Sequence, residues 1–400
     1  VITPAGGFSR RRFLRLLAAL GLSGLAAGCG LRVTPTATPV LPPTFTPSPR
    51  PSPPATPTAP ATAAAPSPSP ATPTATSAPP TPTATPFPPG PPSKLGVFIA
   101  RYEPSLFALL QTGNVALVKT LEYDPNFVAE IKAISPQTLV IARYTPLPTP
   151  DLAHFDPPAA ARAFVETLLP IATEPRRQAA IDAWEAYNEP VPADAGQMAA
   201  LAAFEAERTR LLAAAGLRSC IGNFGAGQPG LELWPAFYPA LAAVNEHDGF
   251  LGLHEYSAPY LWFGSGPHQL DPGADEGDTG WLTLRYRKVY RHYLEPAGLA
   301  VPLVITELGI DGGVTPRPGP PGLGWRDFAA FWEAEGRVST TAAGFYIEQL
   351  AWYDAELQKD AYVRGAAIYA LAAFAGWASF ELLGPAVSIL QQYLAVHPPR

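Results

Sequence analysis

The sequence predicts an α/β fold, a (β/α)8 barrel of the TIM type, preceded by a signal peptide and a disordered Pro/Thr-rich linker. Three observations carry that prediction. Composition changes abruptly near Ser93; short β-rich runs alternate with helical stretches eight times beyond it; and unusual polar residues collect where those runs end. The expected division is 1–29 as export signal, 30–93 as linker and 94–400 as the folded domain.

The first element is the leader. Ser9-Arg10-Arg11-Arg12-Phe13-Leu14-Arg15 is basic, and Leu16 to Ala27 carries no charge before Gly28-Cys29. A basic start, a short apolar run and small residues before a cut site form an export signal. The apolar run is too short for an ordinary spanning helix. The Ser-Arg-Arg-x-Phe-Leu order resembles the twin-arginine export pattern, and Leu25-Ala26-Ala27-Gly28-Cys29 resembles a bacterial lipoprotein cleavage box. That resemblance implies lipid on Cys29, a membrane contact through this anchor, and a location at the cell surface or outside it.

The linker follows. Of the 51 prolines, 23 lie between Leu31 and Ser93, among Thr, Ala and Ser and with no acidic residue. Such a segment cannot bury enough apolar surface to offset the entropy of ordering it. Pro/Thr repeats favour an extended, solvated polyproline-like chain. At ~3.1 Å per residue it reaches roughly 190 Å at most.

The remaining segment is long enough for one large domain with a full core. The predicted strands are Leu95–Arg101, Val115–Leu121, Thr138–Tyr144, Ala183–Asn188, Ser219–Asn223, Phe250–Tyr256, Leu303–Glu307 and Ala366–Leu371. Helical spacing marks Pro125–Ile134, Ala159–Leu169, Met198–Ala214, Leu282–Tyr293, Ala342–Glu356 and Ala386–Leu394 between or after them. Buried parallel strands read as continuous Val/Ile/Leu runs, as "LVIAR" and "LVITE" do. Strand–helix alternation places helices outside a parallel sheet. Eight repeats over about 300 residues match a closed barrel rather than an open doubly wound sheet.

Formal net charge is −6 with no basic face beyond the leader, so nucleic acid is not an expected partner. The two cysteines, Cys29 and Cys220, flank the linker and exclude a disulfide framework. Six scattered histidines show no zinc-ligand spacing. No metal or cofactor is expected, and the chain is expected to be a monomer.

Chemistry in this fold collects where strands end. The fourth run reads Trp184-Glu185-Ala186-Tyr187-Asn188-Glu189-Pro190, the sixth ends His254-Glu255-Tyr256, and the seventh reads Ile305-Thr306-Glu307-Leu308-Gly309. Glu189 and Glu307 both follow apolar strands and can face one another across the mouth. Cleaving a glycosidic bond needs such a pair: one acid for the leaving oxygen, one carboxylate to attack or to activate water. Asn-Glu-Pro at strand four with Glu at strand seven resembles the retaining glycoside hydrolases of the cellulase-like clan, over about residues 95–400.

The resemblance implies Glu189 as acid/base and Glu307 as nucleophile of a carbohydrate substrate. It further implies Asn188 on the sugar 2-hydroxyl, Tyr256 or His254 orienting the nucleophile, and Trp377 as the floor of the cleavage subsite. Arg143, ending the third strand, is a candidate substrate contact. Glu185 and Glu255 read as supporting groups. Tyr256, Tyr260, Trp262 and Phe263 crowd the loop after strand six, and Trp325 follows strand seven; flat rings at a barrel mouth suit sugar faces. Core packing is the competing reading for each.

Gly225-Ala226-Gly227-Gln228-Pro229-Gly230 matches a dinucleotide fingerprint, but Pro229 sits where helix amides should face a phosphate. A loop over the fifth strand is the simpler reading. A non-catalytic carbohydrate-binding barrel on a surface lipoprotein is the alternative function, and a tethered adhesion scaffold is a third. A metal-dependent barrel hydrolase would need several strand-end histidines, where only His254 qualifies.

Overall fold

The computed structural model describes residues 87–144, 150–264, 276–314, 319–336 and 341–398. The expected export signal, Cys29 and most of the linker lie outside the described residues. Within them, eight strands form one parallel sheet: β1 (Leu95–Ile99), β2 (Leu117–Thr120), β3 (Leu139–Arg143), β4 (Ala183–Glu185), β5 (Cys220–Phe224), β6 (Phe250–Ser257), β7 (Leu303–Ile310) and β8 (Val363–Ala372). Their order is β4-β3-β2-β1-β8-β7-β6-β5. A parallel bridge from Trp184 to Ser219 joins the two ends, so the sheet closes into a (β/α)8 barrel.

Each predicted strand overlaps an observed one, because buried parallel strands are legible as apolar runs. The helices are α1 (Ser105–Leu110), α2 (Pro125–Ile134), α3 (Pro157–Ala172), α4 (Pro175–Ala180), α5 (Ala195–Ala214), α6 (Trp234–Glu246), α7 (Tyr286–Val289), α8 (Ala329–Ala334), α9 (Ala342–Leu357) and α10 (Pro385–Ala395). Local chemistry starts several of them. Asp124, Asp156, Glu174, Asp194 and Thr341 each accept a first-turn amide, and proline follows the cap in α2, α3 and α4.

One predicted helix is corrected. Leu282–Tyr293 contains only α7, continued by a π turn over Tyr290–Leu294. The buried Glu255 carboxylate takes the amides of Leu284 (2.6 Å) and Tyr286 (2.9 Å), and Leu284 has φ 59°. Those bonds hold residues 282–285 in an irregular path, so the helix starts late.

The core has two parts. Inside the barrel Phe98, Leu117, Ile141, Cys220, Phe250, Val304 and small alanines of β8 fill the centre. Outside, a larger layer lies between strands and helices. Burial pushes the Cys220 thiol up to about 12, so it behaves as a packed apolar group.

The β4–β5 seam has a specific closure. Arg208 of α5 donates to the carbonyls of Trp184 (3.0 Å) on β4 and Cys220 (3.0 Å) on β5, and its charge is met by Glu205 (2.7 Å). Both side chains are buried, and burial raises Glu205 above the usual carboxylate range despite Arg208. Composition assigns residues up to Ser93 to the linker, yet packing begins earlier. Phe87 meets Tyr393 edge-on at 5.2 Å, and the Gly90 and Ser93 amides bond to Val396 and His397.

Candidate active site

Glu307 lies within β7, which runs three residues beyond it. Glu189 lies four residues past β4 and adopts φ 49°, a left-handed conformation costing about 1–3 kcal/mol for a non-glycine residue. Its amide donates to the Asn223 carbonyl at 3.0 Å, anchoring it to β5. Gly225 makes room: a Cβ there would stand 3.3 Å from the Glu189 carboxyl carbon. The first glycine of the apparent dinucleotide motif thus serves the wall beside Glu189.

The two carboxylates come together with His254. One ligand-type atom from each of Glu189, His254 and Glu307 lies within 4.8 Å of the others. His254 Nδ1 shares a hydrogen bond with Glu189 Oε1 at 2.9 Å and stands 3.6 Å from Glu307 Oε2. Arg143 donates to Glu307 Oε1 at 3.0 Å, and Tyr256 donates to Oε2 at 2.8 Å. Exposure separates the pair: the Glu307 side chain is 3% exposed and that of Glu189 19%.

Beneath them is a charged floor. Lys119 of β2 pairs with Glu185 of β4, both fully buried. Arg143 contacts Asn188 Oδ1 and lies 3.9 Å from Glu185. Burial, with the Arg143 charge beside it, pushes Lys119 well below its ordinary value. Sequence reasoning missed Lys119, whose only signal is a lysine inside an apolar strand.

Asn188, Arg143, His254, Tyr256, Glu189 and Glu307 therefore share one cluster. Trp377 connects to it through Tyr369. It meets Tyr369 at 6.4 Å, and Tyr369 meets Tyr256 at 6.2 Å and Phe98 at 4.8 Å. Tyr369 was also missed, an aromatic set among the small residues of β8.

Trp262 takes part in a different layer: it stacks on Tyr260 at 5.4 Å and meets Phe345 and Trp352 of α9 edge-on. Trp325 is buried, stacked on Tyr346 at 5.1 Å. Tyr260 is buried too. Tyr260 and Trp325 are thus packed between the βα loops and α9, where the sequence suggested open stacking surfaces, while Trp262 stays half-buried beside them. Glu255 points away from the barrel interior, bonded to Tyr353 (2.7 Å) as well as to the α7 entry; burial lifts it to about 7.

The Glu189–His254–Glu307 trio is the candidate metal group among the described residues. Its surroundings disfavour a cation, because a guanidinium at 3.0 Å and a phenol already occupy both Glu307 oxygens. A cleft of about 760 Å³, lined by Asn114, Arg218, Phe250, Arg364 and His397 among others, opens at the start of the strands. Glu189, Glu307 and their partners do not line it.

No family model and no curated protein matches the chain. Among solved structures it is similar to an endo-β-1,3-glucanase of family GH128, subgroup II, from Sorangium cellulosum (16% identity, 76% of this chain and 99% of that one, TM-score 0.42). A second GH128 enzyme of that subgroup, from Pseudomonas viridiflava, gives 14% identity, 77% and 98% coverage and a TM-score of 0.40. A β-D-glucuronidase of Dictyoglomus thermophilum gives 12%, 76% of this chain, 50% of that one and 0.44. Likenesses this weak say nothing about chemistry.

Proposed function

We propose that this chain is a retaining glycoside hydrolase acting on a poly- or oligosaccharide, with Glu189 as acid/base and Glu307 as nucleophile. The observation that carries the reading is the spacing and asymmetry of the two carboxylates. Retaining enzymes hold theirs about 5–5.5 Å apart, inverting ones about 6.5–9.5 Å with room for a water between; here the nearest oxygens of the two lie within 4.8 Å, which supports the shorter arrangement.

In this reading Glu307, faced by Arg143 and Tyr256, sits in surroundings that suit a carboxylate. It attacks the anomeric carbon while the glycosidic C–O bond breaks and Glu189 passes its proton to the leaving oxygen. Water then attacks the glycosyl ester, Glu189 takes the water proton, and Glu307 leaves as carboxylate. His254 holds Glu189 toward the bond throughout. Asn188, oriented by Arg143, is placed to meet a sugar hydroxyl. A 2-deoxy-2-fluoro aryl glycoside of an accepted sugar tests the roles. Mass spectrometry should find the sugar on the peptide containing Glu307; label on Glu189, or rapid turnover with inverted anomer, would refute the assignment.

Export and lipidation of Cys29 complete the proposal. They rest on the basic and apolar leader and the cysteine after Gly28.

A further inference from the structure

Four large apolar side chains stand out as exposed among the described residues: Tyr102 (54%), Phe374 (52%), Val191 (40%) and Trp281 (38%). Scattered surface apolar residues need no explanation, but these four are not scattered. Tyr102 lies between β1 and α1, Val191 between β4 and α5, Trp281 between β6 and α7, and Phe374 between β8 and α10. Every one is in a loop at the end of the barrel that carries the carboxylates.

The three aromatic ones form two sides. β1 and β8 are neighbours in the ring, and Arg101 ties their loops by donating to the Ala373 carbonyl (3.1 Å) and pairing with Glu381 (2.9 Å). Tyr102 and Phe374 flank that tie. Across the barrel, Arg285 stands 5.4 Å from the Trp281 ring and donates to the carbonyls of Gln228 (3.3 Å) and Pro229 (2.5 Å). It fixes Trp281 over the same glycine loop that walls Glu189. A Cβ at Gly227 would lie 3.9 Å from Trp281 Nε1, two residues from Gly225.

Keeping such rings in water is unfavourable unless something covers them. A sugar chain fits: its C–H faces pack on aromatic rings while its hydroxyls stay solvated. We propose that the mouth is a groove for an extended polysaccharide, with Trp281 stacking a unit on the Glu189, leaving-group side and Phe374 with Tyr102 stacking units on the other. The inference rests on the glycosidase reading for the direction of the chain. It adds internal cleavage of a polymer and names residues outside the carboxylate cluster.

Binding tests it apart from catalysis. Full-length protein carrying Glu307→Gln is run through native gels containing laminarin, xylan, carboxymethyl-cellulose or galactomannan, alone and with Trp281→Ala or Phe374→Ala. One polymer should retard the parent, and each added change should weaken retardation about tenfold, as loss of a stacked ring implies. Retardation unaffected by either change, or by all four polymers alike, overturns the groove. Where wild-type protein cuts an end-labelled oligosaccharide, the two single variants should displace the cleavage position in opposite directions; release of single terminal units also overturns it. Polymer retardation that both changes weaken, with no cutting by wild type, keeps the groove and rejects the enzyme.

Discussion

The site turns on how two glutamates are made different. Glu307 is enclosed and receives a guanidinium and a phenol, whereas Glu189 is half-buried, held in a left-handed backbone and partnered by His254. Removing one donor should slow the reaction without unfolding the barrel. Tyr256→Phe is expected to lower kcat/KM about 10- to 100-fold, the ~1.5–3 kcal/mol of a hydrogen bond to a charged group; unchanged kinetics would detach Tyr256 from Glu307. Glu255 supplies a prediction for stability. Its native value of about 7 lies above that of an unfolded glutamate, so the folded state binds the extra proton. The stabilisation is full below about pH 4.5 and is lost as pH rises through 7, on the order of 3 kcal/mol. Melting temperature should fall over that window in wild type and fall less in Glu255→Gln; parallel curves would deny Glu255 the role.

At the scale of elements, the barrel depends on its one sparse seam. Arg208 bonds both β4 and β5 while Glu205 balances its charge out of water. Arg208→Met should cost about 3–5 kcal/mol in urea unfolding, because it leaves Glu205 buried and unpaired. Adding Glu205→Leu should recover much of the loss; a double variant no better than the single would mean the seam bonds, and not the stranded charge, dominate. None of this pairing was legible in the sequence, since α5 shows Glu205 and Arg208 as an ordinary helical charge pair. What was legible were features encoded locally: apolar strand runs, Asp and Thr caps, and strand-end glutamates. Trp325 misled because an aromatic in a Gly/Pro-rich loop looks exposed until a partner such as Tyr346 arrives from α9, some twenty residues on. Lys119 and Tyr369 escaped for the opposite reason, being single residues inside otherwise apolar strands.

For the whole molecule, the order of parts follows from where the linker joins. Phe87 to Ser93 pack on Tyr393, Val396 and His397 at the end of the barrel where strands begin. The carboxylates occupy the other end of the barrel. In a bacterial host the full chain should partition with membranes, and Cys29→Ser should move it to the soluble exported fraction. Partitioning that ignores Cys29 would remove the lipid from the account. The most direct test is hydrolysis of a broad panel of polysaccharides and aryl glycosides by the full chain, beside Glu189→Gln and Glu307→Gln. Some substrate should be cut, and each change should lower the rate by at least about 10²- to 10⁴-fold, as expected for losing a general acid/base or a nucleophile. Cutting that persists without either glutamate, or a barrel that binds sugars and cuts none, would contradict the glycosidase reading and favour a carbohydrate-binding barrel in its place.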